Sequence, residues 1–120
     1  MARILIVEDE ANILKLMSVN LKARGHKVIE AEGGREGLAR LRDAFPELLL
    51  LDIKLPDMSG WDVLKIISAD PAYAQIPVIV ITASLNNANQ DYNLYKNLRK
   101  VIVKPLDVQE LTREVMAALN

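Results

Sequence analysis

Apolar and polar positions along this chain follow two alternating rhythms. Unbroken apolar runs occur at Ile4–Val7, Leu48–Leu51, Val78–Ile81 and Val101–Val103, with a weaker one, "KVIEA", at Lys27–Ala31. They lack period-two alternation and are rich in Ile, Val and Leu, which predicts strands covered on both faces. Between them the apolar residues recur at helical spacing. Ile13, Leu16, Met17 and Leu21 form a stripe within Asn12–Arg24, and Gly25 follows as a left-handed stop. Leu38, Leu41 and Phe45 mark a second helix, with Pro46 beyond it. Trp61, Leu64 and Ile67 mark a third, which fades at "SADPAYAQIP". The last runs from Asp107, a predicted N-cap, through Leu111 and Val115 to Leu119.

Strand and helix thus alternate five times, without repeats or linkers. This order predicts an α/β fold with a doubly wound, five-stranded parallel sheet and helices on both faces, because crossovers between parallel strands are right-handed. In such a sheet the site lies outside the carboxyl ends of the strands, where the strand order reverses. Four strands end in a polar group: "ILIVED" in Glu8 and Asp9, "LLLLD" in Asp52, "VIVIT" in Thr82 and "VIVK" in Lys104. Each alone has an ordinary explanation. Asp52 would cap the next helix, Glu8 to Glu10 would be a solvated turn, Thr82 a β-branched strand residue and Lys104 a surface lysine. Their shared position on successive strands predicts instead that they converge on one patch.

Composition narrows the function classes. The 120 residues suit one domain over 1–120 with a sizeable core. Fifteen basic against sixteen acidic side chains give a net charge of −1, so no global field attracts nucleic acid or an anionic membrane. The absence of cysteine excludes disulfides and thiolate-bound metals. "MARILIVEDE" turns acidic too early for a signal peptide, and no apolar run approaches the roughly 20 residues that span a bilayer. A cytoplasmic location is the expectation.

Three carboxylates crowded at a sheet edge repel one another, and a hard dication relieves the repulsion. Magnesium suits this setting because it keeps several waters and needs few carboxylates beside a phosphate oxygen. A carboxylate can also attack phosphorus to give an acyl phosphate, a transfer that needs little beyond positioning and charge neutralisation. Lys104 supplies a cation and Thr82 a hydroxyl for two phosphoryl oxygens.

On "VEDE", "LLLDIKLPDMSG", "VIVITA" and "VKP", the chain resembles a response-regulator receiver domain of two-component signalling, of the chemotaxis-regulator kind, from Arg3 to Leu119. The resemblance implies the flavodoxin-like strand order 2-1-3-4-5. It also implies Asp52 as phosphoryl acceptor, Glu8 and Asp9 as the acidic pair holding Mg2+ with Asp52, and the backbone carbonyl of Lys54 as a further metal ligand. Thr82 and Lys104 would contact the phosphoryl group, Lys104–Pro105 would be cis, and Ala83 would be small to keep the site open. The implied partners are a sensor histidine kinase or a histidine phosphotransfer protein and a downstream protein target, with no direct nucleic-acid contact and no membrane insertion. The implied role is a signalling switch and not an enzyme, beyond its own phosphoryl transfer and slow autodephosphorylation.

The chain departs from the family pattern in two places. Val101 stands where an aromatic residue, three positions before the lysine, usually couples to the threonine. In residues 84–100, "SLNNANQDYNLYKNLRK", five asparagines each cost about 0.6 kcal/mol relative to alanine inside a helix. This predicts a short or mobile fourth helix, against which Leu85, Ala88, Tyr92 and Tyr95 still share one face. Asn97, where the family has glycine, is expected to make a left-handed stop. Lys54 and Ser84 flank the acceptor, and the Lys54 ammonium would shield the phosphoryl group from water.

Rival readings lose on particular residues. An aspartyl phosphatase of the haloacid-dehalogenase type wants a second acid two residues after its nucleophile, where "DIK" has Lys54. A flavodoxin or small GTPase needs a glycine-rich phosphate loop, where "EDEAN" stands. The stronger alternative is a receiver-like interaction module working without phosphorylation, whose mark would be loss of Asp52, Lys104 or the acidic pair. None is lost. The chain ends just after the last predicted helix, as either a stand-alone regulator or a domain of a longer chain would.

Overall fold

The computed structural model describes residues 1–83 and 95–120. In chain order the elements are β1 (Arg3–Val7), α1 (Ala11–Ala23), β2 (Lys27–Ala31), α2 (Gly34–Ala44), β3 (Leu48–Asp52), α3 (Gly60–Ala69), β4 (Val78–Thr82), β5 (Leu98–Val103) and α4 (Val108–Leu119). The strands pair in parallel in the order β2-β1-β3-β4-β5. Both the α/β class and the strand order agree with the sequence reading. The helix expected between β4 and β5, with its predicted brevity and its face of Leu85, Ala88 and Tyr92, lies outside the described residues.

The apolar runs lack alternation because both sheet faces are covered. Successive strand side chains point to opposite faces. Leu5, Val7, Leu49, Leu51, Val78 and Val80 join Leu41 of α2 and Trp61, Leu64 and Ile67 of α3 in one core cluster. Ile4, Ile6, Leu48, Leu50, Ile79 and Ile81 join Leu14, Met17 and Leu21 of α1 and Leu111 and Val115 of α4 in the other. Each buried Leu or Ile contributes about 1.5–3 kcal/mol of transfer free energy. The two edge strands carry the exposed charges Lys27, Glu30, Arg99 and Lys100, which discourage pairing with a further strand.

Helix ends follow local chemistry. Gly25 takes φ +91° after α1, the predicted left-handed stop. Asp107 caps α4 by accepting from the amides of Gln109 at 2.8 Å and Glu110 at 3.4 Å. Ser59 caps α3 by accepting from the amide of Trp61 at 3.1 Å.

Two residues differ from expectation. Phe45 was expected on the apolar stripe of the second helix but lies just past it, at φ 45°, half-exposed. Its ring meets that of Tyr73 at 5.7 Å between centroids, because α2 stops one residue too early to turn it inward. Asn97 does not adopt the left-handed conformation, which among the described non-glycine residues belongs to Phe45 alone. Its side chain is buried and bridges two segments, accepting from the Ser68 hydroxyl at 2.6 Å and donating to the Ile76 carbonyl at 3.1 Å. A buried amide holding both partners satisfies its polar atoms, and this role displaces that of a helix stop.

Candidate functional site

Parallel register brings the polar strand ends together. Val7 lies opposite Leu51, Asp52 opposite Ile81 and Thr82 opposite Val103, so Glu8, Asp52, Thr82 and Lys104 leave the sheet at one edge. The main chain ties them: the amide of Lys104 donates to the carbonyl of Thr82 at 2.7 Å, and that of Glu8 to Ala31 at 3.0 Å. The Lys104–Pro105 bond is cis, as the resemblance implied. Lys104 Nζ lies 3.2 Å from Glu8 Oε1, 3.2 Å from Glu10 Oε1 and 3.4 Å from Asp52 Oδ2. Asp52 Oδ1 accepts from the amide of Lys54 at 3.3 Å, and Glu8 Oε2 from that of Glu10 at 3.1 Å.

These groups are deeply placed. Glu8 is 0 % exposed and Asp52 3 %. Burial pushes the Glu8 carboxyl up to about 7, reinforced by the neighbouring Asp52 carboxylate and its charge. The amide of Glu10 and the Lys104 ammonium pull the other way without prevailing. Burial works against the Lys104 ammonium, but the charges of Asp52 and Glu8 outweigh it and hold its pKa above the usual lysine value. Lys104 therefore acts as an internal counter-ion for a site with surplus negative charge.

The oxygens of Glu8, Glu10 and Asp52 lie within 4.8 Å of one another, a set that could hold a metal ion. Glu8 Oε1 is buried and has no aligned hydrogen bond, although Lys104 Nζ is near. An all-oxygen donor set with one buried, incompletely satisfied carboxylate oxygen fits a hard dication such as magnesium.

Of the residues singled out from sequence, Glu8, Asp52 and Lys104 meet directly. Asp9 is exposed and outside the three-carboxylate group, yet it lines the same cavity of about 290 Å³, together with Lys54, Ala83 and Lys104. Thr82 is buried at its strand end, and Ala83 is exposed at the cavity wall. The Lys54 side chain is exposed at the cavity rim, while Ser84 lies outside the described residues. Glu10 enters the sequence reading only through the solvated-turn alternative for Glu8 to Glu10, not as a candidate ligand. As N-cap of α1 it stays in the extended conformation, and its side chain reaches Lys104. Only the third acid of "VEDE" hinted at it. A larger cleft of about 520 Å³ follows the edge of β2, but among the described residues its charged lining, Lys22, Glu30, Glu32, Glu36 and Arg40, is exposed throughout. The chemistry marks the smaller cavity.

Val101, at the departing position, lies opposite Val80 and packs against the α2–α3 core. In the same core, Trp61 stacks on Tyr95, ring centroids 6.0 Å apart at 20°.

Comparison with known proteins agrees with this geometry. The model of the response regulator receiver domain matches residues 4–116. Protein PilH of Pseudomonas aeruginosa is 31 % identical over 119 residues, which cover 99 % of this chain and 98 % of PilH. DNA-binding response regulators match at similar identity, but the chain spans about half, 51 %, of their length. Among solved structures, a CheY-like receiver domain protein from Methanospirillum hungatei is 32 % identical with a TM-score of 0.87, covering 99 % of this chain and 94 % of that one. The response regulator TrrA from Thermotoga maritima, in complex with Mg(2+)-BeF, is 29 % identical with a TM-score of 0.86, covering 99 % and 100 %. The acid-lined crevice thus sits on a shared fold matched along almost its whole length, and the chain belongs to the response regulator receiver domain family.

Proposed function

We propose that residues 1–120 form the phospho-acceptor module of a two-component phosphorelay, with Asp52 as the acceptor. The observation that carries this reading is the buried Asp52 carboxylate held 3.4 Å from the Lys104 ammonium among two further carboxylates. A sensor histidine kinase or a histidine phosphotransfer protein presents a phosphohistidine. An Asp52 oxygen attacks phosphorus; the O–P bond forms as the P–N bond breaks, and the electron pair leaves with the imidazole nitrogen, which takes up a proton. Lys104 exchanges carboxylate contacts for a phosphoryl oxygen, and the Thr82 hydroxyl donates to another. Glu8, Asp9, Asp52 and the Lys54 carbonyl would hold Mg2+, with Glu10 as a further carboxylate in reach. The ion, when bound, supplies positive charge against which two anions can approach.

The phosphoryl group then biases a two-state surface read by a downstream protein, a local charge change with a global readout. The likeness to TrrA, described with Mg(2+)-BeF, supports this chemistry. Labelling with acetyl phosphate and magnesium tests it. Wild type is expected to take up labile phosphate and Asp52→Asn none; equal labelling would exclude this acceptor. Trp61 follows Gly60, which abuts the main chain of Asp52, so its fluorescence should respond to beryllofluoride with magnesium. Absence of both labelling and response in wild type would favour an interaction module working without phosphorylation.

A further inference from the structure

The loop over residues 53–59, between β3 and α3, is closed at its base. Lys54 and Ser59 form an antiparallel bridge, and the amide of Gly60 donates to the carbonyl of Ile53 at 2.7 Å. Its tip reaches across to another element. Asp57 Oδ1 accepts from the amide of Gly34 at 2.8 Å, and Oδ2 from that of Arg35 at 3.0 Å. These amides open α2, whose own N-cap, Gly33, has no capping side chain. The helix thus receives its cap from a residue over twenty positions away. Gly33 and Gly34 are shaped for the contact: a Cβ on Gly33 would lie 3.0 Å from Asp57 Oδ1, and one on Gly34 would overlap the Met58 side chain.

The other end of the loop enters the acidic cavity. Lys54 lines it and donates its amide to Asp52 Oδ1 at 3.3 Å. We infer that Asp57 is a positioning residue: by clamping the loop tip onto the start of α2 it fixes the Lys54 main chain beside Asp52, and so sets how tightly the site holds a dication. The inference rests on the magnesium reading above. Groups that orient a metal's ligands without touching the metal govern affinity because a misplaced ligand must be reordered on binding. A carboxylate accepting two amide hydrogen bonds at a helix N-terminus is a strong, directional clamp. Coupling between two sites is reciprocal. If the clamp supports the ion, the ion must also protect the amides of Gly34 and Arg35. A cap serving only the stability of α2 would show no such exchange.

Magnesium titration by calorimetry and amide hydrogen exchange on the full chain test this. In wild type, saturating magnesium should slow exchange at Gly34 and Arg35. Asp57→Ala should weaken magnesium binding about tenfold and abolish that coupling. Gly34→Ala, which displaces Met58, should weaken binding in the same direction, and adding Met58→Ala should restore it. This second pair keeps the test open should Asp57→Ala fold poorly. Unchanged affinity in folded Asp57→Ala, or exchange at Gly34 and Arg35 indifferent to magnesium, would overturn the clamp alone. A wild type that binds no magnesium would overturn the clamp and the reading beneath it together.

Discussion

Burial, Asp52 and Lys104 compete over a single proton on Glu8. With its carboxyl raised to about 7, a proton and a dication contend for the same oxygens near neutrality. Magnesium affinity should therefore rise with pH by up to about tenfold per unit below that value and level off above it, as one displaced proton requires. Calorimetric titrations across this range check it, and a flat profile would contradict it. The sign for stability is opposite. The folded carboxyl titrates above its ordinary 4.5, so the folded state binds the proton more tightly. The metal-free fold should lose stability as pH rises from there to about 7. At this scale the sequence showed which residue types end the strands. It could not show that Glu10, more than Asp9, turns toward Lys104, because that depends on the side-chain direction at one helix cap.

Elements carry their own constraint at Gly60, the first residue of α3. A Cβ there would collide with the carbonyl oxygen of Asp52, a main-chain atom that cannot swing aside. Gly60→Ala should cost about 1–3 kcal/mol, read by urea denaturation, since the start of α3 must move away from the acceptor strand. Wild-type stability in this variant would mean the junction has slack. Strands and helices were largely legible, because period and capping residues such as Asp107 and Gly25 act within a few positions. Phe45 and Asn97 depart from the sequence expectation for a reason at this same scale. Helical spacing continued one residue past the true end of α2, and asparagine's turn preference gave way to buried partners on Ser68 and Ile76.

At the scale of the molecule, the sheet supports the site from below. Leu50, fully buried in the core shared with α1 and α4, sits two residues before Asp52. Leu50→Ala should destabilise by about 2–5 kcal/mol, whereas Val19→Ala on the exposed face of α1 should stay within about 0.5 kcal/mol of wild type. Equilibrium unfolding of the two variants makes the comparison, and equal losses would argue against Leu50 lying at the centre of the core shared with α1 and α4.

Hydrophobic period, strand-end residue types and local caps carried the α/β class, the parallel sheet and the choice of Glu8, Asp9, Asp52, Thr82 and Lys104 as candidates, since each is encoded by neighbours along the chain. Only tertiary structure decided that Lys104 balances three carboxylates at once, that Asp57 caps a distant helix and that Asn97 bridges two segments. Those contacts join residues 21 to 96 positions apart. Their geometry comes from how layers pack, which no short stretch of sequence contains.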